Sequence, residues 1–306
     1  MHIIALWLLK YEVVEKLRVQ MKITSKQIFY LILPEVHILD LTGPIHVFYE
    51  AQEYGASLQQ YYLSAFKSQT DQASSAGLVF SNLSYYKDAT PNAGDYLLIP
   101  GIDFKYLNAT DFRARYQDQL KWIYDLHQKG VNICSICTGA FVLGHAQLLN
   151  RRDCTTHWKY CDRLQSKFPQ AQVKRQRLFI EANGVFTSAG VSSGIDLSLH
   201  ILEKEFTKKL ALNVAREIVV YLRRNAEDPQ LSPFLQHRNH MDERVQQVQD
   251  YIYQNIEQKL TITQLAMEVY VTPRHLSRIF KAATGLTILS YIQKLRAAQK
   301  NISDSL

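Results

Sequence analysis

One cysteine of the chain lies where α/β proteins often place a reactive group. In residues 131–144, V-N-I-C-S-I-C-T-G-A-F-V-L-G, an apolar strand runs into a turn of small residues and then into a helix, and Cys137 falls at the turn. A side chain there points above the sheet, where the N-terminus of the following helix would lower a thiol pKa and offer backbone N–H groups to an oxyanion. This pattern predicts a nucleophile elbow. A small buried hydrophobic residue is the alternative that the pattern leaves open.

The cysteines lie close together along the chain, which argues against an extracellular disulfide framework and favours a cytoplasmic location. Two of them form a C-x-x-C pair, but no second pair completes a tetrahedral zinc site, so we expect no metal and no cofactor. No segment reaches the roughly 18 apolar residues that a membrane span needs. We therefore expect no membrane association. The cysteines are Cys134, Cys137, Cys154 and Cys161.

Positive charge is concentrated near the end of the chain. The formal net charge is +7, and the stretch from Arg274 to Lys300 holds six basic residues and no Asp or Glu. Such an asymmetry is typical of a surface that contacts nucleic-acid phosphates, although a solvated helix face would also account for it. The six are Arg274, Arg278, Lys281, Lys294, Arg296 and Lys300.

The elements that must hold Cys137 alternate between strand and helix. Short apolar runs at 27–33, 61–66, 96–99 and 131–135 are separated by helical stretches such as 116–129. We expect the first helix to open at Gly43-Pro44 and to close at Gly55. Strand and helix in series predict an α/β fold with a doubly wound, mostly parallel sheet.

A boundary follows this region. Residues 223–240, with two prolines, mixed charge and no apolar period, predict a linker, and only helical patterns come after it. We place the α/β domain at 21–222 and an all-α domain at 241–306. Because Met21 directly precedes the first strand, we interpret residues 1–20 as an extension from an upstream start codon.

The all-α domain contains a helix-turn-helix pattern. Thr272 can cap the second of its two short helices, and Pro273 suits the first position of that helix, where no donor is needed. Arg274, Ser277 and Arg278 then face outward from the N-terminal half, which is the part of a recognition helix that enters the major groove. Arginine is the side chain that reads guanine most often.

The sequence T-P-R-H-L-S-R-I-F-K-A-A-T-G-L-T-I-L-S-Y-I-Q resembles the first helix-turn-helix of AraC/XylS-type regulators. The resemblance implies double-stranded operator DNA as a partner, with Arg274, Ser277 and Arg278 near bases. It also implies that Lys281 and Arg296 lie near phosphates.

The sequence departs from this family in two places. Tyr270 stands in the inter-helix turn where the family usually has glycine, so a left-handed backbone there would cost about 1 kcal/mol. The family continues into a second helix-turn-helix, whereas the helical pattern here breaks at Asn301 and the chain ends at Leu306. We therefore expect only the first half of the DNA-binding domain, and we expect its specific binding to DNA to be weakened.

The segment around Cys137, with Thr155-Thr156-His157-Trp158 and Asp40-Leu41-Thr42-Gly43-Pro44, resembles the ThiJ/PfpI superfamily from about residue 27 to residue 222. The resemblance implies an amidotransferase-like, flavodoxin-type sandwich. It also implies that an acid from the loop after the first strand, Asp40, attends the cysteine, together with a histidine matching His157. D-L-T-G-P with I-C-T-G is especially similar to the isonitrile hydratases.

The continuation through S-A-G-V-S-S-G-I-D-L into a helical domain resembles the variant of this superfamily that is fused to AraC-type readers. The leading hypothesis is a DNA-binding regulator, not an enzyme, whose α/β domain forms a homodimer and binds a small-molecule effector near Asp40, Cys137 and Thr138. The alternative is a cysteine-dependent enzyme, such as an isonitrile hydratase-like lyase, with Cys137, Asp40 and His157 as catalytic candidates. An inert remnant of the fold is a third hypothesis.

Overall fold

The computed structural model describes residues 25–220, 224–228, 230, 237, 238 and 240–303, with side chains up to residue 297. The chain divides into two compact units between Asp228 and Pro229. Residues 1–20, which we interpreted as an extension, lie outside the described residues, as does part of the expected linker.

The first unit is built on a seven-stranded sheet in which only one edge strand is antiparallel to its neighbour. Its central strands are buried along most or all of their length, which explains why they are continuous apolar runs in the sequence. The predicted fold class is confirmed. The strands of this sheet are β1 Lys26–Ile32, β2 Leu58–Ser64, β5 Ser84–Tyr85, β6 Tyr96–Ile99, β7 Asn132–Ile136, β10 Phe179–Ala182 and β11 Val185–Ser188. Their order across the sheet is β10-β11-β7-β6-β1-β2-β5, and β10 is the antiparallel edge strand.

Helices flank the sheet, and two short strand pairs lie apart from it. The helices are α1 Ile38–Glu53, α2 Phe104–Leu107, α3 Phe112–Arg115, α4 Gln117–Gln128, α5 Gly139–His145, α6 Cys161–Lys167, α7 Ser192–Glu205 and α8 Lys208–Glu217. The separate pairs are β3 Gln72–Ala73 with β4 Val79–Phe80, and β8 Asp153–Cys154 with β9 Gln172–Val173.

The strand order places a crevice at the carboxyl end of β1. The chain leaves β1 towards β2 on one side and later returns to β6 on the other side, so the connections that follow β1 and β6 diverge. In open α/β sheets such a switch point is where ligands bind. The loops after β1, β6 and β7 therefore form the wall of a candidate site.

The expected start of the first helix was wrong. Helix α1 begins at Ile38, so Gly43 and Pro44 lie inside it and Asp40 lies in its first turn rather than in a loop. The buried stripe of the helix already includes Leu41 and continues through Phe48, and this burial outweighs the backbone hydrogen bond that the proline removes.

The second unit is helical, with α9 Glu243–Gln254, α10 Ile262–Glu268, α11 Pro273–Thr284 and α12 Ile288–Ser303. Thr272 caps α11 by accepting from the His275 backbone N–H at 3.3 Å, and Pro273 takes the first helical position, as predicted. The expected break at Asn301 was wrong, because the backbone remains helical through Ser303 and the segment holds no proline or glycine. Among the described residues, none of the helices has both the length and the apolar character that a membrane crossing needs.

Candidate functional site

Cys137 lies on a tight turn between β7 and α5. Its backbone is left-handed, with φ of +55°, which is the strained geometry expected of an elbow. Two hydrogen bonds hold this conformation: the Cys137 N–H donates to the Ser188 carbonyl at 3.0 Å, and the Cys137 carbonyl accepts from the Thr156 hydroxyl at 2.7 Å. The side chain is only 4% exposed. Neighbouring strands and loops therefore fix the thiol in one position.

Two glycines allow the backbone to approach this thiol closely. A Cβ atom on Gly101, which follows β6, would lie 2.3 Å from Asp40 Oδ2 and 2.9 Å from Cys137 Cβ. A Cβ atom on Gly190, whose φ is +97°, would lie 2.3 Å from Cys137 Cβ. Any other residue at either position would displace the groups that form the site.

Asp40 is buried, with 1% exposure, and its two carboxylate oxygens have different partners. Oδ1 accepts from the Val191 backbone N–H at 2.6 Å, and Oδ2 lies 3.2 Å from His37 Nδ1. Val191 has a left-handed backbone, with φ of +49°. The carboxylate therefore links the first turn of α1 to the start of α7.

His37, Asp40 and Cys137 form one compact group. Each contributes one potential ligand atom, and these atoms all lie within 4.8 Å of one another. Nitrogen, oxygen and sulfur donors of this kind are the ones that zinc binds in proteins. Our expectation of no metal was derived from the C-x-x-C pair, and it did not take His37 into account.

The sequence-based prediction of a lowered thiol pKa was wrong. Burial raises the pKa of the Cys137 thiol well above its usual value, and the charge of the neighbouring Asp40 raises it further. A backbone hydrogen bond from Thr138 opposes these effects but does not outweigh them. Helix α5 is only seven residues long, so its N-terminus stabilises a thiolate too little to offset the effects of burial and of the neighbouring carboxylate. Cys137 is therefore a neutral thiol near pH 7.

Thr138 is buried and anchors the loop after β6. Its hydroxyl donates to the Ile102 carbonyl at 2.7 Å and accepts from the Ile102 N–H at 2.9 Å. Both interactions are structural, so a ligand would meet the backbone of Thr138 more readily than its hydroxyl. Thr138 therefore shapes the crevice that contains Cys137.

His157 lies outside the compact group. Its Nδ1 accepts from the Lys159 N–H at 3.3 Å, and its ring packs beside the exposed Trp158, with 5.5 Å between ring centroids. Burial lowers the pKa of His157. The imidazole that contacts Asp40 belongs to His37, which the sequence analysis did not single out.

Helix α11, the second helix of the helix-turn-helix pattern, presents a basic face. Arg274, Ser277, Arg278 and Lys281 follow the i, i+3, i+4, i+7 spacing of one helix side, while Leu276 and Phe280 are buried on the other. The three basic residues are exposed, and Arg278 Nη2 lies 3.3 Å from His275 Nδ1. The Ser277 hydroxyl donates to the Pro273 carbonyl at 2.8 Å.

Arg296 has a role that the sequence did not reveal. Its Nε donates to the Ile256 carbonyl at 2.9 Å, and its Nη2 donates to the Gln258 carbonyl at 2.6 Å. These bonds attach α12 to the segment that follows α9. Because two of its nitrogens bind backbone carbonyls, Arg296 is a poorer candidate for a phosphate contact than Lys281.

Two family models match the chain. The model of the DJ-1/PfpI family matches residues 26–204, and the model of bacterial regulatory helix-turn-helix proteins of the AraC family matches residues 252–293. The first match covers the whole candidate site. The second covers α10 and α11.

Three relatives illustrate the similarity. The transcriptional regulator GbdR of Pseudomonas aeruginosa is 29% identical over 60% of this chain and 50% of its own length, so the chain spans about half of that protein. The transcriptional regulator CdhR of the same species is 26% identical over 89% of this chain and 78% of its own length. The isonitrile hydratase of Pseudomonas putida is 29% identical over 58% of this chain and 71% of its own length.

A solved structure supports the same fold. The crystal structure of an AraC family transcriptional regulator from Pseudomonas putida superposes with a TM-score of 0.53 at 20% identity, covering 63% of this chain and 99% of that one.

Proposed function

Because the chain belongs to the DJ-1/PfpI family and also carries an AraC-family helix-turn-helix, we propose that it is a DNA-binding transcription regulator whose α/β unit senses a small molecule. The relatives GbdR and CdhR are both described as HTH-type transcriptional regulators, and the match to CdhR extends over 89% of this chain. DNA is the partner of the second unit, and the cytoplasm is the compartment in which the protein acts.

The observation that carries this proposal is the basic face of α11. Arg274, Arg278 and Lys281 are exposed on one side of the helix, while the opposite side packs into the core of the second unit. An arginine can donate two parallel hydrogen bonds to guanine O6 and N7, and a lysine can neutralise a phosphate. We assign Arg274 and Arg278, with Ser277 between them, to bases and Lys281 to the DNA backbone.

The effector site is the crevice at the carboxyl end of β1. Asp40 and Cys137 supply buried polar groups, His37 supplies an imidazole that is partly open to solvent, and the Thr138 backbone completes the turn. The raised pKa of Cys137 favours a role in binding over nucleophilic attack, since the thiolate is the reactive form. Binding there would shift the population of two conformations of the α/β unit.

The protein acts as a homodimer in this proposal. Helix-turn-helix proteins commonly pair so that two readers contact two half-sites, and a second reader multiplies the number of base contacts. Light scattering of the full chain tests this part directly, because a monomer at the concentrations that saturate DNA would contradict it.

A second candidate function is a cysteine-dependent lyase. The similarity to an isonitrile hydratase and the placement of Asp40 beside Cys137 favour it. An acid next to a thiol can transfer a proton to a substrate. Turnover of an isonitrile that is lost in the Cys137→Ala variant would establish this activity.

The test of the leading proposal is salt-titrated binding to the DNA upstream of the gene. The variant carries Arg274→Ala with Arg278→Ala, and its matched control carries Arg244→Ala with Lys259→Ala. The control removes the same charge from exposed positions of the same unit, outside α11.

Two bidentate base contacts at about 1–3 kcal/mol each predict a loss of at least about 30-fold in specific affinity for the α11 variant. The control should change mainly non-specific binding, and only slightly. Equal losses in both variants would show that overall charge, rather than α11, determines binding, and would contradict the proposal.

A further inference from the structure

The chain leaves the α/β unit through residues 224–228, which we call the exit segment. Arg224 Nη2 donates to the Ser192 hydroxyl at 2.8 Å and pairs with Asp196 Oδ2 at 2.5 Å. Farther along, the Ala226 carbonyl accepts from the Leu178 N–H at 3.2 Å. The exit segment is therefore attached to the α/β unit at these two points, and a third contact is the ion pair between Arg177 and Glu227.

The first fastening point lies on residues 188–196, which we call the wall segment because they enclose the cysteine. Its Ser188 carbonyl accepts from the Cys137 N–H, and Gly190 packs directly against the Cys137 side chain. Its Val191 N–H donates to Asp40 Oδ1 at 2.6 Å. Ser192 is the next residue along the chain, so one peptide separates the contact with Asp40 from the contact with Arg224.

The second fastening point reaches the same segment. The Leu178 N–H donates to Ala226 in the exit segment, and the Leu178 carbonyl accepts from the Ala189 N–H at 2.8 Å. Ala189 lies in the wall segment between Ser188 and Gly190. Two connections from the exit segment, one direct and one through Leu178, therefore lead to the residues that form the site around Cys137.

The ion pair between Arg224 and Asp196 is the stronger of the two connections. Asp196 is only 4% exposed, and burial raises the pKa of its carboxyl group while the charge of Arg224 opposes that effect. A buried carboxylate that loses its cation must either take up a proton or move towards water. The position of Arg224 therefore depends on the position of the N-terminal part of α7.

We propose that Arg224 is a positioning residue that couples the cysteine site to the exit segment, from which the chain continues into the DNA-binding unit. This inference rests on the proposed function, because it assumes that occupancy of the site has a purpose. A ligand that draws Asp40 away from the Val191 N–H releases the wall segment, and the exit segment loses its anchor. Coupling between two sites is reciprocal, so loosening the exit segment must also open the site.

Reciprocity gives a test that needs no ligand. In the full chain, Arg224→Ala should raise the rate at which iodoacetamide alkylates Cys137, read by peptide mass spectrometry. In the other direction, Asp40→Ala should raise amide hydrogen exchange at Leu178 and in peptides that span residues 224–228. Both rates are to be measured under conditions where they follow the opening equilibrium of the segment, and a coupling of ordinary size then corresponds to roughly 5- to 150-fold in that equilibrium.

Three control variants make the result specific. Arg175 pairs with the carboxylate of Asp162 at an exposed position outside the wall segment. Arg175→Ala should therefore leave both rates unchanged. Arg224→Lys keeps the cation and should restore most of the protection of Cys137. Asp40→Asn keeps an oxygen that can accept from Val191, so exchange in the exit segment should stay near the wild-type value. If Arg224→Ala does not fold, Ser192→Ala removes one contact of the same anchor and takes its place.

The proposal is overturned if Arg224→Ala loosens residues 224–228 while Cys137 is alkylated at the wild-type rate. It is equally overturned if Arg175→Ala has the same effect as Arg224→Ala, because the cause would then be general destabilisation. Neither readout involves DNA, so failure of this coupling is distinguishable from failure of DNA recognition by α11.

Discussion

Replacing Tyr270 by glycine should stabilise the second unit, although the replacement removes a large side chain. Tyr270 lies in the turn between α10 and α11, with a left-handed backbone at φ of +56°. Its N–H donates to the Met267 carbonyl at 3.2 Å, so the turn has kept its hydrogen bond and not relaxed around the side chain. The side chain is 96% exposed and contributes little packing.

The size of the effect follows from two opposing contributions. A left-handed backbone costs a residue other than glycine about 1–2 kcal/mol, and glycine avoids this cost. Glycine also gives the unfolded chain more freedom, which subtracts about 0.4–1 kcal/mol. With the middle of each range, the balance is a gain of about 0.8 kcal/mol in the free energy of unfolding. For a unit of this size, each kcal/mol corresponds to roughly 4–8 °C in Tm.

Amide exchange in α11 measures this free energy in the full chain, and thermal unfolding gives the shift in Tm. Tyr270→Ala is the matched control, since it removes the same exposed side chain but keeps a Cβ atom in the left-handed backbone. We expect Tyr270→Ala to be close to wild type and Tyr270→Gly to be more stable than both. If the glycine variant is no more stable than the alanine variant, the backbone of this turn is not strained and the argument fails.

Three further predictions concern the α/β unit. Burial lowers the pKa of His145 from 6.5 to about 4, so the folded state keeps a neutral imidazole and its stability falls as the pH drops from 6.5 to 4. Because the side chain is partly exposed, solvent screening reduces the expected loss to roughly 1–2 kcal/mol, and denaturation of His145→Phe should lack this pH dependence. In urea unfolding, Gly190→Ala should lower the free energy of unfolding by at least about 2 kcal/mol, because the new Cβ would overlap Cys137. The control Gly77→Ala has a similar φ but open space around it and should cost about 1 kcal/mol, so equal losses in the two variants would contradict the overlap. Asp40→Asn removes a charge that raises the pKa of Cys137, so the pH profile of alkylation should move to lower pH, and an unchanged profile would leave burial as the sole cause.

The fold was predictable because parallel strands that are buried on both faces form continuous apolar runs in the sequence. The strand at Tyr96–Ile99 agrees with its predicted bounds, and the predicted run from Val131 differs by one residue from the observed strand Asn132–Ile136. The start of α1 was misplaced because Gly43-Pro44 is a strong local signal, whereas the contacts that extend the helix back to Ile38 come from tertiary packing. Local propensity is a weak guide where burial decides.

The candidate site was only partly predictable. Cys137 and Asp40 were found through motifs, but the contacts of Gly101 and Val191 join residues far apart in sequence, and no local pattern reveals them. His37 did carry a signal, because a histidine three residues before Asp40 at the start of a helix lies on the same face. The role of Arg296 was missed because the sequence of a basic stretch does not show whether an arginine in it contacts a phosphate or a backbone carbonyl.

Cys137 is synthesised before the residues that bury its thiol, and this order affects when the thiol is accessible. The groups that enclose it, Ser188 and Gly190, lie about 50 residues later in the chain, and at about 5–20 residues per second the ribosome needs roughly 3–10 s to make them. The contact between Asp40 and Val191 becomes possible at the same stage, since Val191 directly follows Gly190. During that interval the thiol has neither the burial nor the fixed carboxylate that raises its pKa. We therefore expect oxidants and electrophiles to react faster with Cys137 before the later residues have folded around it than in the folded protein.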